Sequence, residues 1–298
     1  MKKREWTYYL FIAPAVIAFL MVVAVPFFMG VFYSFTDWKG FASSGISFVG
    51  FTHYIESFKD PQYLYSIIVT FVFGFFNFVV VNVVSFGMAL LVSSKIKGRN
   101  LYRTGFFVPN LIGGLVLGYI WQFMFNSVLP AFGEILQFSV LKDTFFLADP
   151  KLATIALVTT ATWQYAGYIM MIYYTSLQGI PKGLVEASEL DGASWLQKLR
   201  HIIVPMIAPA FTISLFLTLS NSFKQFDVIV SLTNGGPSAM FMGQAVKATE
   251  LLSVNIYNTA SIRNMMAQSQ AKAVMFFIVL AIISFIQTSL TRRKEIEQ

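Results

Sequence analysis

Six stretches of about 20 residues, near 9–33, 65–92, 105–125, 152–177, 203–223 and 273–290, contain no Asp, Glu, Lys, Arg or His. A helix needs about 20 apolar residues, at about 1.5 Å each, to cross roughly 30 Å of hydrocarbon, so each stretch is a spanning candidate. The expected fold is all-α: one polytopic membrane domain over 1–298 with six transmembrane helices. Composition agrees, because 12% charged and 56% hydrophobic residues exclude a water-soluble enzyme, whose charged share averages about 25%. The first stretch runs uncharged from Trp6 to Thr36 with no small-residue cleavage site behind a short apolar core, so it reads as a retained helix.

The pieces between the windows fix orientation. The N-terminus (Lys2, Lys3, Arg4), the second loop (Lys95, Lys97, Arg99, Arg103), the fourth (Lys182, Lys198, Arg200) and the C-terminus (Arg292, Arg293, Lys294) hold thirteen cations. The other three loops hold eight over longer stretches: Lys39, Lys59, Lys142, Lys151, Lys224, Lys247, Arg263 and Lys272. Positive charge gathers on the cytoplasmic side, which predicts a multi-pass protein of the cell membrane with both termini cytoplasmic. The net charge of +7 thus reports orientation in the lipid bilayer and no nucleic-acid partner. Residues 224–272 form an extracytoplasmic loop in this scheme, punctuated by Asn234-Gly235-Gly236-Pro237, with 238–252 lying on or dipping into the outer face.

Several chemistries are missing. With no Cys and two distant histidines, His53 and His201, no thiolate, disulfide or Cys/His metal site forms. Charge-free windows argue against proton-coupled transport, which uses ionisable groups at membrane depth. No phosphate-binding G-x-x-x-x-G-K-[ST] loop occurs. Glu134, Asp143 and Asp149 are scattered singly, as solvated loop charges rather than a catalytic cluster. Uphill movement of a solute would therefore need energy from another subunit.

The fourth loop is unusually ordered for its length. Pro181 and Gly183 break it from the fourth span, Leu184 to Ala187 suits a helical turn, Gly192 interrupts, and Ala193 to Ile203 reads as a second helix. Leu196, Leu199 and Ile203 share one face of that helix. Glu186-Ala187-Ser188, Gly192, then Ile202, Val204 and Pro205 reproduce, with Ser and Val as departures, the Glu-Ala-Ala, Gly, Ile-x-Leu-Pro pattern of importer-type ATP-binding-cassette permeases. The chain resembles that family over nearly its whole length, and most closely its carbohydrate-uptake members of the maltose, raffinose and multiple-sugar kind. Further residues carrying the likeness are Ala13-Pro14, Tyr33 to Trp38, Arg103 to Asn126, Thr162-Trp163 and Leu232 to Pro237.

The resemblance implies that 181–205 is a cytoplasmic coupling helix between the fourth and fifth spans that docks on an ATPase. Glu186, Ala187, Ser188, Asp191, Gly192 and Pro205 would form it, with Glu186 as the polar contact and Gly192 as the turn. It implies a sister permease, an ATP-binding-cassette ATPase dimer, and an extracytoplasmic sugar-binding protein as partners. The chain would bind no cofactor and catalyse no reaction itself; ATP and magnesium would be used by the partner ATPase.

Sugars are recognised by amide and hydroxyl groups and by aromatic faces. Gln164, Tyr165 and Tyr168, beside Trp163, gather on the fourth span, and Thr218, Ser222 and Gln225 recur at i, i+4 and i+7 on the fifth with Asn221 beside them. In the family the substrate lies between these two helices, which makes these seven the candidate substrate-binding residues. Such groups also tie neighbouring helices together, the role read for Asn77, Asn82 and Ser85. Gln122 and Asn126 would line the outer mouth, Asn110 to Gly114 would break the third span, and Trp6, Tyr33 and Trp38 would anchor at the interface. The expected function is import of a sugar, of the oligosaccharide class, into the cytoplasm. The alternatives are the same machinery carrying a polyol or glycerol phosphate, or a passive channel or scaffold without ATP coupling.

Overall fold

In the computed structural model, residues 2–41, 45–94 and 96–292 are described, with side chains from Tyr8 onward. Lys95, Arg293 and Lys294 of the charge count, and the side chains of Lys2, Lys3, Arg4 and Trp6, lie outside the described residues. The chain divides into two compact units, Met1–Asp60 with Asn255–Ile278, and Pro61–Val254 with Val279–Gln298. The principal helices are α1 (Tyr8–Tyr33), α2 (Pro61–Ser93), α3 (Arg99–Phe107), α4 (Gly114–Phe123), α5 (Pro150–Gln178), α6 (Lys182–Leu190), α7 (Trp195–Lys198), α8 (Ala208–Lys224), α9 (Asp227–Leu232), α10 (Leu252–Ser261) and α11 (Met266–Arg292). Strands β1 (Ser238–Phe241) and β2 (Gln244–Lys247) pair as an antiparallel hairpin between α9 and α10.

Among the described residues, four helical segments, Tyr8–Tyr33, Pro61–Ser93, Gly114–Ile135 and Met266–Arg292, are long and apolar enough to cross a membrane. A fifth is a pair, Trp195–Met206 and Ala208–Lys224, bent by 74°. α5 has the length, 29 residues, but mixes Thr, Gln, Trp and Tyr among its apolar residues. The third sequence window is not one helix. After α3 the chain takes a 3-10 turn over Val108–Leu111, and Ile112 is extended before α4 starts. Pro109 and the Gly113-Gly114 pair produce this break, as their sequence suggests.

Three π-helical turns, Leu20–Ala24, Met124–Val128 and Leu199–Ile203, stand just ahead of Pro26, Pro130 and Pro205. Proline has no N–H for the carbonyl four residues back, and its ring pushes that carbonyl away. Those carbonyls belong to Val22, Asn126 and His201, each inside its π turn. The wider turn absorbs the misfit without ending the helix.

In the larger unit the buried residues of α2 recur at spacings of three and four: Ser66, Val69, Phe73, Asn77, Val81, Ser85, Ala89 and Val92. This stripe faces α5 and α8. One apolar core joins Val69, Phe73, Leu117, Leu157, Ile229 and Leu232; another joins Val81, Ile169, Met170, Tyr173 and Ile207. Small residues set the closest approaches. A Cβ on Gly167 would stand 1.7 Å from the Phe106 carbonyl oxygen, and one on Gly118 would stand 1.8 Å from Ser231 Oγ. The obstacle at Gly167 is backbone, so Gly167→Ala must shift α3 away from α5. Overpacking of this kind costs about 1–3 kcal/mol or more, and the thermal midpoint of the purified protein should fall accordingly.

The span of 224–272 that reads as a loop carries α9, the hairpin, α10 and the start of α11. Val228, Ile229, Leu232, Leu251 and Val254 are buried in the core of the larger unit. Their apolar runs are too short to register as spans. The hairpin base is fixed to α2, where Lys247 N–H donates to Gln62 Oε1 at 2.7 Å and the Tyr65 and Phe241 rings meet at 5.3 Å.

The smaller unit stacks Tyr33 on Trp38 with centroids 4.2 Å apart. Lys272 is fully buried there, although its sequence position suggests an outer-loop charge. Its ammonium donates to Asn255 Oδ1 and Thr259 Oγ1, both at 3.0 Å, and reaches Asp60 Oδ2 at 3.3 Å. Arg263 Nη1 donates to the same Asp60 oxygen at 2.9 Å.

Candidate functional site

The loop between α5 and α8 is built by local rules. α6 ends in a Schellman motif: Gly192 N–H donates to the Glu189 carbonyl at 3.1 Å and Ala193 N–H to the Ser188 carbonyl at 2.9 Å. Gly192 has φ +74°, a conformation that favours glycine. Ser194 then opens α7 with a capping box, its N–H donating to Gln197 Oε1 at 2.7 Å and its Oγ accepting from Gln197 N–H. Lys198 Nζ donates to Glu189 Oε1 at 2.7 Å, clasping α7 to α6. That hydrogen bond and the Lys198 charge hold the Glu189 carboxyl below its ordinary range.

These contacts make the loop a preformed body rather than a flexible connector. Of the sequence-predicted coupling residues, Glu186, Ala187, Asp191 and Gly192 are exposed, Pro205 is half-buried, and Ser188 is buried with Oγ donating to the Val185 carbonyl at 2.6 Å. Leu190, Trp195 and Leu196 are also exposed, at 90%, 60% and 66%. An apolar surface with a carboxylate beside it suits a partner protein. Pro205 follows the π turn, and the chain bends by 74° before α8, so the loop meets the fifth span as an elbow.

Inside the bundle the seven candidate substrate residues divide. Thr218 and Ser222 turn toward α2: Asn82 Nδ2 donates to Thr218 Oγ1 at 3.0 Å and Asn77 Nδ2 to Ser222 Oγ at 2.7 Å. Tyr173 O–H completes the set by donating to Asn82 Oδ1 at 2.8 Å. Ser85 Oγ donates to the Ala166 carbonyl at 2.8 Å, so the polar groups of α2 do serve helix packing. Gln164 is half-buried, with Nε2 donating to the Ile112 carbonyl at 3.1 Å, where the third span is broken.

Tyr165, Tyr168 and Asn221 occupy a more open face. The two tyrosine rings lie 5.3 Å apart, and Asn221 of α8 is exposed. Gln225 ends α8 in extended backbone, half-buried, its carbonyl accepting from Ser253 Oγ at 2.5 Å. Gln122 donates to the Leu232 carbonyl at 3.2 Å, and Asn126 is exposed. Among the described residues no group of three or more His, Cys, Asp or Glu could hold a metal ion.

Depth changes how the fifth span reads. Asn77 stands midway along the 33-residue α2, and Ser222 is bonded to it. Two residues later α8 stops at Lys224, so this helix ends level with the middle of α2. Lys224 and Asp227, exposed and assigned by sequence to an outer loop, thus lie near the candidate site. The contact between Asn77 and Ser222 places them there, and no sequence spacing encodes it.

Over residues 81–296 the chain matches the family described as binding-protein-dependent transport system inner membrane component. It is 42% identical to the probable starch degradation products transport system permease protein AmyD of Thermoanaerobacterium thermosulfurigenes, covering 99% of this chain and 97% of that one. It is 30% identical to the sn-glycerol-3-phosphate transport system permease protein UgpA of Agrobacterium fabrum, covering 93% and 92%. A solved bacterial ABC transporter that imports the acidic polysaccharide alginate has a chain of the same fold, with TM-score 0.81, 20% identity and coverage of 98% and 96%.

Proposed function

We propose that this chain, which belongs to the family of binding-protein-dependent transport system inner membrane components, is the membrane-spanning subunit of an ATP-driven importer for neutral oligosaccharides. The observation that carries the coupling half of this reading is the preformed, exposed loop of α6 and α7 at the elbow of the fifth span. Such a body can pass a rigid displacement to α8, as a pin-jointed loop could not. ATP hydrolysis, with its magnesium, takes place on a separate ATPase dimer that docks on Glu186, Asp191, Leu190 and Trp195. A sister permease completes the path, and an extracytoplasmic binding protein delivers the sugar. Six spans, with both termini cytoplasmic, fit the charge distribution.

Tyr165, Tyr168, Asn221 and Gln225 offer aromatic faces and amide groups to a sugar, with Gln164 behind them. Thr218 and Ser222 act through α2, setting the tilt of α8 against which the sugar rests. The oligosaccharide class follows the relative whose name gives starch degradation products. Labelled maltose, maltotriose, maltotetraose and glycerol 3-phosphate, offered to cells expressing the full transporter, test this reading. Uptake of the maltodextrins is expected; uptake of glycerol 3-phosphate alone would replace it.

A further inference from the structure

Asp227 takes no part in the site as read from sequence. It begins α9 after the extended Gln225 and the turn at Phe226, and it is exposed in this chain. Among the described residues its carboxylate has neither a hydrogen bond nor an ion pair, although its backbone carbonyl accepts from Ser231 Oγ at 2.8 Å. It lies five positions after Ser222, which is bonded to Asn77 at the midpoint of α2, and the next residues, Val228 and Ile229, belong to the apolar core that includes Val69 and Phe73 of α2. An unpaired carboxylate at this depth is unfavourable in lipid and marks an aqueous or substrate-bearing path.

Its neighbours point the same way. A Cβ on Gly114 would stand 2.7 Å from Asp227 Cβ, so the aspartate rests on the first residue of α4. Two residues before, the Ile112 carbonyl is held by Gln164. Asp227 and Gln164 therefore flank one helix break, and the exposed Asn221 lies on the preceding stretch of α8. Polar groups from α5 and α9 thus meet where the third span is not helical.

Building on the importer reading, we infer that Asp227 is a sugar-contacting residue that sets selectivity in the translocation path. Its two oxygens accept hydrogen bonds from sugar hydroxyls, and its charge disfavours anionic solutes. Hydrogen bonds to a charged acceptor are among the strong ones, and an unmatched charge excludes as effectively as a matched one binds.

The test uses the whole transporter in proteoliposomes, with its ATPase, saturating binding protein and internal ATP. The probes are maltotriose, a series of monodeoxy maltotrioses and glycerol 3-phosphate. Asp227→Asn is expected to lower maltotriose uptake about tenfold to a hundredfold. One or two deoxy sugars, already slow with the unaltered chain, should lose no more. Asp227→Glu, which keeps the charge, should still exclude glycerol 3-phosphate and reorder the sugars. Equal loss for every sugar, unchanged maltotriose uptake, or failure of both variants to assemble would overturn the assignment while leaving the importer reading intact. Uptake of glycerol 3-phosphate in place of maltotriose by the unaltered chain, or of neither, would overturn both.

Discussion

Alanine at Glu186 is expected to reduce ATP-driven uptake at least tenfold while the protein still inserts and assembles. The side chain lies on the exposed face of α6, outside the Schellman motif and the Lys198–Glu189 clasp that hold the loop together. Removing it leaves the fold of this chain unchanged to within about 0.5 kcal/mol, as at most surface positions. In a docked interface the same truncation costs about 2–5 kcal/mol when it strips a hydrogen-bonded partner of its charge. Uptake and ATP hydrolysis measured on the same vesicles distinguish the two: hydrolysis stripped of its response to binding protein, together with lost uptake, marks a severed contact. Unaltered uptake would remove Glu186 from the interface.

The second large effect is structural and lies at Lys272. Lys272→Ala deprives Asp60, Asn255 and Thr259 of a common buried donor and opens a cavity. Arg263 still pairs with Asp60, so the cost comes from the cavity and the stranded Asn255 and Thr259 acceptors, about 2–5 kcal/mol, enough to drop the thermal midpoint of the purified protein sharply. Lys272→Met fills the same space without the charge and separates the two contributions. The cluster also has a pH signature. Burial would raise the Asp60 pKa, but Lys272 and Arg263 outweigh it and hold the carboxyl below its usual range. A depressed folded-state pKa gives stability that is present above the unfolded value, near 3.9, and is lost as pH falls through the folded one. Stability should therefore decline below about pH 4, and less steeply in Asp60→Asn.

Much of the fold was legible because charge is expensive in hydrocarbon: charge-free windows locate α1, α2 and α5 to within a few residues, while α11 begins seven residues before its window, at Met266, and takes in Lys272. The turn in the loop between α5 and α8 was legible through Gly192, which acts on its own backbone. Harder to see were effects that act at a distance. Each proline disturbs the carbonyl four residues back, so the π turns precede the residues that cause them. Periodicity placed Thr218, Ser222 and Gln225 on one side of α8, but it names no neighbour, and Asn77 and Asn82 of α2 take the first two. Lys272 was hidden because its acidic partner, Asp60, is 212 residues away. That α8 ends level with the middle of α2 follows from the Asn77–Ser222 contact, which brings Lys224 and Asp227 from a sequence-assigned outer loop to the neighbourhood of the site.

The importer function requires that this chain move sugar only when a partner hydrolyses ATP. It is tested most directly by maltotriose entry into proteoliposomes holding the assembled transporter, with and without internal ATP and external binding protein. Accumulation above the outside concentration, requiring both, is the predicted result. Entry that equilibrates without ATP and ignores Glu186→Ala would describe a passive channel and contradict the account.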